Sequence, residues 1–143
     1  MSTRLRAAYY GGKRLTKAKR RSNTGSPDRV TRLVEAVRAF AEARDWEQYH
    51  SPKNLSMALT AEAGELLEIF QWLTEAESRA LAPTKRSQVR DEIGDILIYL
   101  TRLADQIGID PIEAAFDKIK KNEAKYPVAK AKGNARKYTE FKR

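Results

Sequence analysis

The feature that most constrains this fold is a pair of short acidic steps, each set within an apolar helical pattern. They read Glu62-Ala63-Gly64-Glu65 and Glu92-Ile93-Gly94-Asp95. An α-helix turns by about 100° per residue, so residues three apart lie on one face. Apolar residues share the side of each leading glutamate: Leu55, Leu59, Leu66, Ile69 and Leu73 around Glu62, and Val89, Ile96, Tyr99, Leu100, Leu103 and Ile107 around Glu92. The pattern predicts two helices that point four carboxylates towards a core.

Carboxylates in an apolar stripe need a partner, because burying an unpaired one costs several kcal/mol. Ligand sets made only of oxygen favour hard cations, so Mg²⁺ or Mn²⁺ is expected before zinc. Gly64 and Gly94 lie inside the acidic steps, where a helical glycine costs about 1 kcal/mol relative to alanine. Something is therefore expected to approach the backbone closely there. The alternative is that the glycines permit tight helix crossing and that the acids pair with Lys or Arg of a neighbouring helix.

Composition removes several classes of site. The chain has 143 residues, no cysteine and one histidine, which excludes disulfides, thiolate metal sites and Cys/His catalysis. It has no phosphate-binding loop of the G-x-x-x-x-G-K-[ST] type. No apolar run approaches the roughly 20 residues that cross a bilayer, and the N-terminus lacks the apolar core of a signal peptide. We expect a cytoplasmic protein without a membrane partner.

Charge divides the chain into three parts. Residues 1–28 hold eight Lys/Arg and one acid, residues 29–117 hold ten and sixteen, and residues 118–143 hold ten and two. An acidic body between basic ends is typical of a metal-dependent site for a polyanion, and equally of a solvated body with basic tails.

Periodicity and capping signals predict an all-α protein with four helices. The first begins with Asp28 or Thr31 as N-cap and ends near Arg44; the second runs from Asn54 or Leu55 to Thr74, the third from Lys85 to Gln106, and the fourth from Pro111 to Lys125. Gly108 is predicted as the C′ residue of the third helix, two positions after its end. We expect a flexible basic tail over residues 1–28, one domain over residues 29–143, and an irregular basic C-terminal segment.

The connection between the first two helices is rich in unusual residues. Trp46, Tyr49 and the only histidine, His50, lie between Asp45 and Asn54, with Pro52 as an interruption. The two aromatics either close one end of the core or line a pocket for a planar ligand. Glu47-x-x-His50 spells a di-iron ligand motif, which we reject because such sites need two copies on helices.

These residues resemble a known family. The pattern Glu62-x-x-Glu65 followed by Glu92-x-x-Asp95 resembles the hallmark of the all-α nucleoside triphosphate pyrophosphohydrolases of the MazG-like superfamily. Further stretches resemble dCTP pyrophosphatases: residues 44–55, Phe70-Gln71-Trp72, residues 95–100, and residues 122–127 with Gly133 and Lys137-Tyr138. The resemblance covers residues 29–141. It implies a four-helix MazG-like bundle that assembles as a homodimer or homotetramer.

The resemblance also implies an activity and a site. A (d)NTP, dCTP or a related pyrimidine nucleotide, would be hydrolysed to the monophosphate and pyrophosphate with Mg²⁺, or with Mn²⁺ as a substitute. The catalytic metal ligands would be Glu62, Glu65, Glu92 and Asp95; the base pocket would be shaped by Trp46, Trp72 and Tyr99; and the phosphates would meet Lys118, Asn122, Lys125 and Tyr126. One departure concerns Val37, where some dCTP-preferring relatives carry a histidine.

Two other functions stay open at this point. A helical nucleic-acid-binding protein would act through its basic termini, with salt-dependent affinity. A non-catalytic bundle would bind a Mg²⁺–nucleotide complex without turnover.

Overall fold

The computed structural model describes residues 28–142, and this part of the chain contains helices and no strand. The elements are α1 Arg29–Glu42, a 3₁₀ turn Glu47–Tyr49, α2 Pro52–Phe70, α3 Glu75–Arg79, α4 Pro83–Gln106, α5 Pro111–Lys125, α6 Val128–Ala131 and a second 3₁₀ turn Tyr138–Lys142. The predicted all-α class is confirmed, and four of the six helices are long. The predicted flexible tail lies outside the described residues, apart from Asp28.

Local capping chemistry sets most helix ends. The Asp28 carboxylate accepts hydrogen bonds from the backbone N–H groups of Val30 and Thr31 at 2.9 and 2.8 Å, which confirms it as the N-cap of α1. Gly108 follows α4 with φ +68°, as its predicted C-terminal position requires. Helix α1 ends at Glu42, two residues before the predicted end.

Two prolines begin helices where the sequence predicted connections. Ser51 caps α2 by accepting a hydrogen bond from the Asn54 N–H at 3.2 Å, and Pro52 is the first helical residue. Pro83 is likewise the first residue of α4, although the residue before it, Ala82, provides no side-chain cap. The interpretation of Pro52 as a loop residue is wrong, because the first helical position needs no N–H donor and favours the fixed φ of proline.

Helix α2 also ends earlier than predicted, at Phe70. Thr74 and Glu77 form reciprocal hydrogen bonds between their side chains and backbone N–H groups, a capping box that begins α3. Because Thr74 takes the extended backbone of an N-cap, α2 cannot continue through it.

Helices α1 to α4 form one compact unit. Helix α2 packs along α4, and α1 packs against α4 as well. The buried residues of this unit are Val37, Ala41, Leu55, Thr101, Arg102 and Ala104. Leu100 and Ile107 were expected to face the core, but both are exposed. Since the acidic steps lie on α2 and α4, the contact between these two helices positions them relative to each other.

Residues 112–142 belong to a second unit. The Tyr126 ring meets the rings of Tyr138 and Phe141 edge-on, with centroids 5.9 and 6.0 Å apart. Helix α6 and the second 3₁₀ turn contradict the expected irregular C-terminal segment. The ring contacts with Tyr126 hold Tyr138 and Phe141 of the second 3₁₀ turn in place. A single domain over residues 29–143 stays a prediction. None of the described helices is both long and apolar enough to cross a bilayer.

Candidate metal centre and aromatic loop

Three carboxylates from two helices converge. Glu62 and Glu65 of α2 and Glu92 of α4 each offer an oxygen, and these oxygens all lie within 4.8 Å of one another. Glu92 Oε2 is buried and has no hydrogen-bond partner among the described residues. A buried oxygen without a partner is costly, and an all-oxygen set is what a hard divalent cation prefers. The three residues therefore fit a metal ion.

The electrostatics of this cluster point the same way. Burial raises the pKa of Glu62, and the charges of Glu65, Asp95 and Glu92 raise it further. Burial also raises the pKa of Glu92, with added repulsion from Glu65, Asp95 and Asp91. Asp95 thus adds negative charge, although its oxygens are not part of the group within 4.8 Å. Three of the four predicted ligands are brought together, and the fourth, Asp95, lies close enough for its charge to raise the pKa of Glu62 and of Glu92.

Open space adjoins both glycines of the acidic steps. A Cβ atom added at Gly64 or Gly94 would meet nothing within 4 Å. The alternative of tight helix crossing is therefore wrong. No ion pair among residues 28–142 involves the four carboxylates, so the described part of the chain does not support the alternative of pairing with Lys or Arg. The space beside the acidic steps leaves room for a ligand.

Residues 46–50, the aromatic loop, lie near the surface. The Trp46 side chain is 42% exposed. Its ring meets Phe40 edge-on at 5.6 Å between centroids and His50 at 6.3 Å. Tyr49 is exposed. Because neither Trp46 nor Tyr49 is buried, the interpretation that they close one end of the core is wrong. The Arg44 guanidinium carbon lies 6.0 Å from the centroid of the Trp46 ring, and a pocket for a planar ligand stays a prediction.

The other two predicted base-contacting residues lie on or next to the helices of the acidic cluster. Trp72 follows the end of α2 and is 86% exposed. Tyr99 is half-buried on α4, four residues after Asp95. No ring contact in the described part of the chain joins Trp46, Trp72 and Tyr99, so a shared base pocket stays a prediction.

The four predicted phosphate-contacting residues belong to the unit of α5. At 100° per residue, they share one side of this helix and its end: Lys118, Asn122, Lys125 and Tyr126. Lys118 and Lys125 are exposed, whereas Asn122 and Tyr126 are half-buried. Their contact with phosphates stays a prediction.

Sequence reasoning missed Arg102. Its side chain is 3% exposed and forms ion pairs with Glu47 and Asp105, and its Nε donates a hydrogen bond to His50 Nδ1 at 3.3 Å. The available signal was an arginine on the apolar side of α4, about 80° from Glu92. Both polar ends of Glu47-x-x-His50 thus contact a guanidinium, which agrees with the rejection of a di-iron site.

Comparison with known proteins shows the family of this chain. A model of the MazG-like family matches residues 57–141. The dCTP pyrophosphatase 1 of Rattus norvegicus is 41% identical over 121 residues, which cover 82% of this chain and 71% of that protein. The dCTP pyrophosphatase 1 of Homo sapiens is 41% identical over 119 residues, covering 81% and 70%.

A solved structure agrees with these relatives. The crystal structure of a pyrophosphatase from Archaeoglobus fulgidus matches with a TM-score of 0.68 and 41% sequence identity, over 72% of this chain and 96% of that chain. Both acidic steps fall inside the region that the family model matches. The chain therefore belongs to the MazG-like family of nucleoside triphosphate pyrophosphohydrolases.

Proposed function

We propose that this protein is a Mg²⁺-dependent pyrophosphohydrolase that converts dCTP, or a related pyrimidine nucleotide, to the monophosphate and pyrophosphate. The observation that carries the proposal is the cluster of Glu62, Glu65 and Glu92, whose oxygens lie within 4.8 Å of one another. It occurs in a chain about two fifths identical to proteins named dCTP pyrophosphatase 1. Such an activity would remove unwanted nucleotides from the cellular pool.

The metal would be held by Glu62, Glu65, Glu92 and Asp95. The all-oxygen donor set, the unpartnered oxygen of Glu92 and the mutual repulsion of the carboxylates support this assignment. Bound Mg²⁺, or Mn²⁺ in its place, would neutralise the phosphate oxygens and the departing pyrophosphate.

The protein's own groups would orient and deprotonate the nucleophile. A water molecule would attack the α-phosphorus in line while a carboxylate of the cluster accepts its proton. The bond from the α-phosphorus to its bridging oxygen then breaks, and the electron pair leaves with pyrophosphate. The open space beside Gly64 and Gly94 supports entry of the polyphosphate next to the cluster.

The base would be selected by aromatic contacts from Trp46, Trp72 and Tyr99. The high exposure of Trp72 in the free protein supports a binding role, because an exposed indole contributes little to the core. Val37 is 9% exposed and has no polar group to offer a base. Selection for a pyrimidine would therefore depend on the aromatic side chains.

The phosphates of the substrate would contact α5. Lys118 and Lys125 are exposed on α5, which suits contact with a polyanion.

The protein would form a homodimer or homotetramer. Three exposed apolar residues share one side of α4 at helical spacing: Ile93, Leu97 and Leu100. An apolar stripe of this kind supports contact between copies of the chain.

A nucleotide screen with product identification tests the proposal. Full-length protein with Mg²⁺ should release pyrophosphate and dCMP from dCTP faster than it cleaves purine deoxynucleotides. Release of orthophosphate instead, or turnover that survives Glu62→Ala, would show that the assignment is wrong. Deletion of residues 1–27, which keeps the Asp28 N-cap of α1, should leave turnover intact; if the chain instead acts on nucleic acid through its basic ends, that deletion should weaken salt-dependent binding.

A further inference from the structure

All three nitrogens of the Arg102 guanidinium are engaged, although the side chain is 3% exposed. Nη2 pairs with Glu47 Oε1, Nη1 donates to Asp105 Oδ2 at 2.9 Å, and Nε donates to His50 Nδ1 at 3.3 Å. Burial and the charge of Arg102 lower the pKa of His50, which keeps the ring neutral so that Nδ1 can accept. Arg102 therefore holds the aromatic loop at two points and its own helix at one.

The surrounding contacts balance this buried charge. Arg38 of α1 donates to Asp105 through Nε at 2.8 Å and forms a second contact through Nη2. The Gln106 amide donates to Glu47 Oε2 at 3.4 Å. Replacing a buried ionic network by well-packed apolar side chains is often neutral for stability. Stability alone therefore does not account for an arginine at this position.

The aromatic loop has little apolar packing of its own. None of the residues in its 3₁₀ turn, Glu47–Tyr49, is buried. The Trp46 ring lies against Phe40 and His50, with centroids 5.6 and 6.3 Å away. A chain of direct contacts therefore runs from Arg102 through His50 to Trp46, and polar contacts with α4 take the place of core packing.

We propose that Arg102 is a positioning residue for nucleotide selection, which sets the orientation of Trp46 through Glu47 and His50. This rests on the proposed function, in which Trp46 contacts the base. Arg102 lies on the same helix as Asp95, seven residues and about 10 Å further along. Its contacts thus tie the base-binding loop to the helix that carries part of the acidic cluster.

Two readouts test the proposal in full-length protein with Arg102→Met, which keeps a long apolar side chain in the buried position. Steady-state kinetics in the otherwise unchanged protein should show KM for dCTP raised about tenfold, the loss expected when one base–aromatic stacking contact is misplaced. The kcat should change by less than about threefold, and the preference for dCTP over dATP should fall. In a Trp72→Phe background, Trp46 is the single tryptophan. Acrylamide should quench Trp46 fluorescence to a different extent in the Arg102→Met, Trp72→Phe double variant than in Trp72→Phe alone.

Matched variants separate positioning from general support of the fold. Arg38→Met removes the other cation on Asp105 without touching the aromatic loop, and should leave KM and quenching unchanged. His50→Leu removes the acceptor for Arg102 Nε and should raise KM as Arg102→Met does. His50→Asn offers an amide oxygen near the place of Nδ1 and should restore KM to within about threefold of the unchanged protein.

The proposal is overturned if Arg102→Met and His50→Leu both keep the original KM, nucleotide preference and Trp46 quenching, or if they lower kcat at constant KM. Should Arg102→Met fail to fold by circular dichroism, Glu47→Gln and His50→Leu decide, since they act on the loop side of the same contacts. If the unchanged protein hydrolyses no nucleotide, the proposed function fails. The quenching comparison alone then decides whether Arg102 positions Trp46.

Discussion

Glu62 of α2 and Glu92 of α4 place carboxylate oxygens within 4.8 Å of each other, and Glu65 lies within the same distance of both. Burial and mutual repulsion raise the pKa of Glu62 and of Glu92. No ion pair in the described residues relieves this repulsion. The arrangement is unfavourable for the protein alone and favourable for a bound cation. Substitutions in this cluster should therefore affect activity and stability in different directions.

Glu62→Gln and Glu92→Gln should each lower pyrophosphate release by about a thousandfold or more, because each removes a charged ligand from the reacting centre. In metal-free buffer the same variants should unfold at an equal or higher temperature, since one repelling charge is gone. Glu68→Gln is the control and should keep its activity, because Glu68 is exposed on α2, the helix that carries Glu62. A variant that loses activity only because it unfolds earlier would contradict this account.

Mg²⁺ should stabilise the folded protein. At a free concentration of about 100 times Kd, binding to the native state alone adds about 2.7 kcal/mol to the free energy of unfolding. Thermal unfolding with and without Mg²⁺ measures the shift, which EDTA should reverse. Glu92→Gln should show little or no shift, and an equal shift in this variant would place the ion elsewhere.

Trp72→Ala and Trp46→Ala should separate binding from packing. Trp72 is 86% exposed, so Trp72→Ala should raise KM for dCTP while leaving the unfolding temperature nearly unchanged. Trp46 contacts Phe40 and His50, so Trp46→Ala should raise KM and also cost about 1 kcal/mol of stability from the lost ring contacts. Chemical denaturation measures the stability of both variants. An equal loss of stability in the two would refute the distinction between a binding role for Trp72 and a combined binding and packing role for Trp46.

Leu97→Glu should shift the protein towards the monomer in sedimentation experiments. Leu97 is exposed on α4, on the same side as Ile93 and Leu100, and a charge in an apolar interface is costly. Gln88→Glu is the control, because it lies on the opposite side of α4, about 180° away. If both variants sediment like the unchanged protein, this stripe is not the contact between copies.

Asp105→Asn should change the response to acid. Hydrogen bonds and charges from Arg38 and Arg102 hold the pKa of Asp105 below its usual value of 3.8. The unfolded chain therefore binds more protons than the folded one in the window between the two pKa values, and stability falls as pH drops from about 5 through that window.

Asp105→Asn should cost about 3 kcal/mol at pH 7, because it leaves two arginines short of a counter-charge. The difference from the unchanged protein should shrink below pH 4. Denaturant unfolding at a series of pH values provides the measurement. A gap that stays constant down to pH 2 would show that Asp105 does not carry this acid sensitivity.

Local sequence determined where most helices lie. Asp28 provides an N-cap, Gly108 provides a left-handed residue after α4, and α5 begins at Pro111 directly after Asp110, so each end depends on neighbours within a few residues. Pro52 was misplaced because proline both breaks a helix and begins one. Ser51 caps the helix that Pro52 begins, whereas Ala82 precedes Pro83 without a side-chain cap, so the residue before a proline does not by itself decide between the two.

The acidic steps were also a property of the sequence. Their i, i+3 spacing and their apolar surroundings predicted carboxylates on the inner sides of two helices, and the lack of cysteine narrowed the ion to a hard one. The family resemblance supplied the triphosphate, which spacing alone does not specify.

Only the tertiary structure decided which side chains meet. The packing of α2 on α4 selected Glu62, Glu65 and Glu92 as the close group and left Asp95 just outside it. It also joined Arg102 to Glu47 and His50, residues more than fifty positions away in the chain. Helical periodicity states which residues share a side of one helix, whereas a contact between helices depends on their axial shift and rotation, which local sequence does not encode.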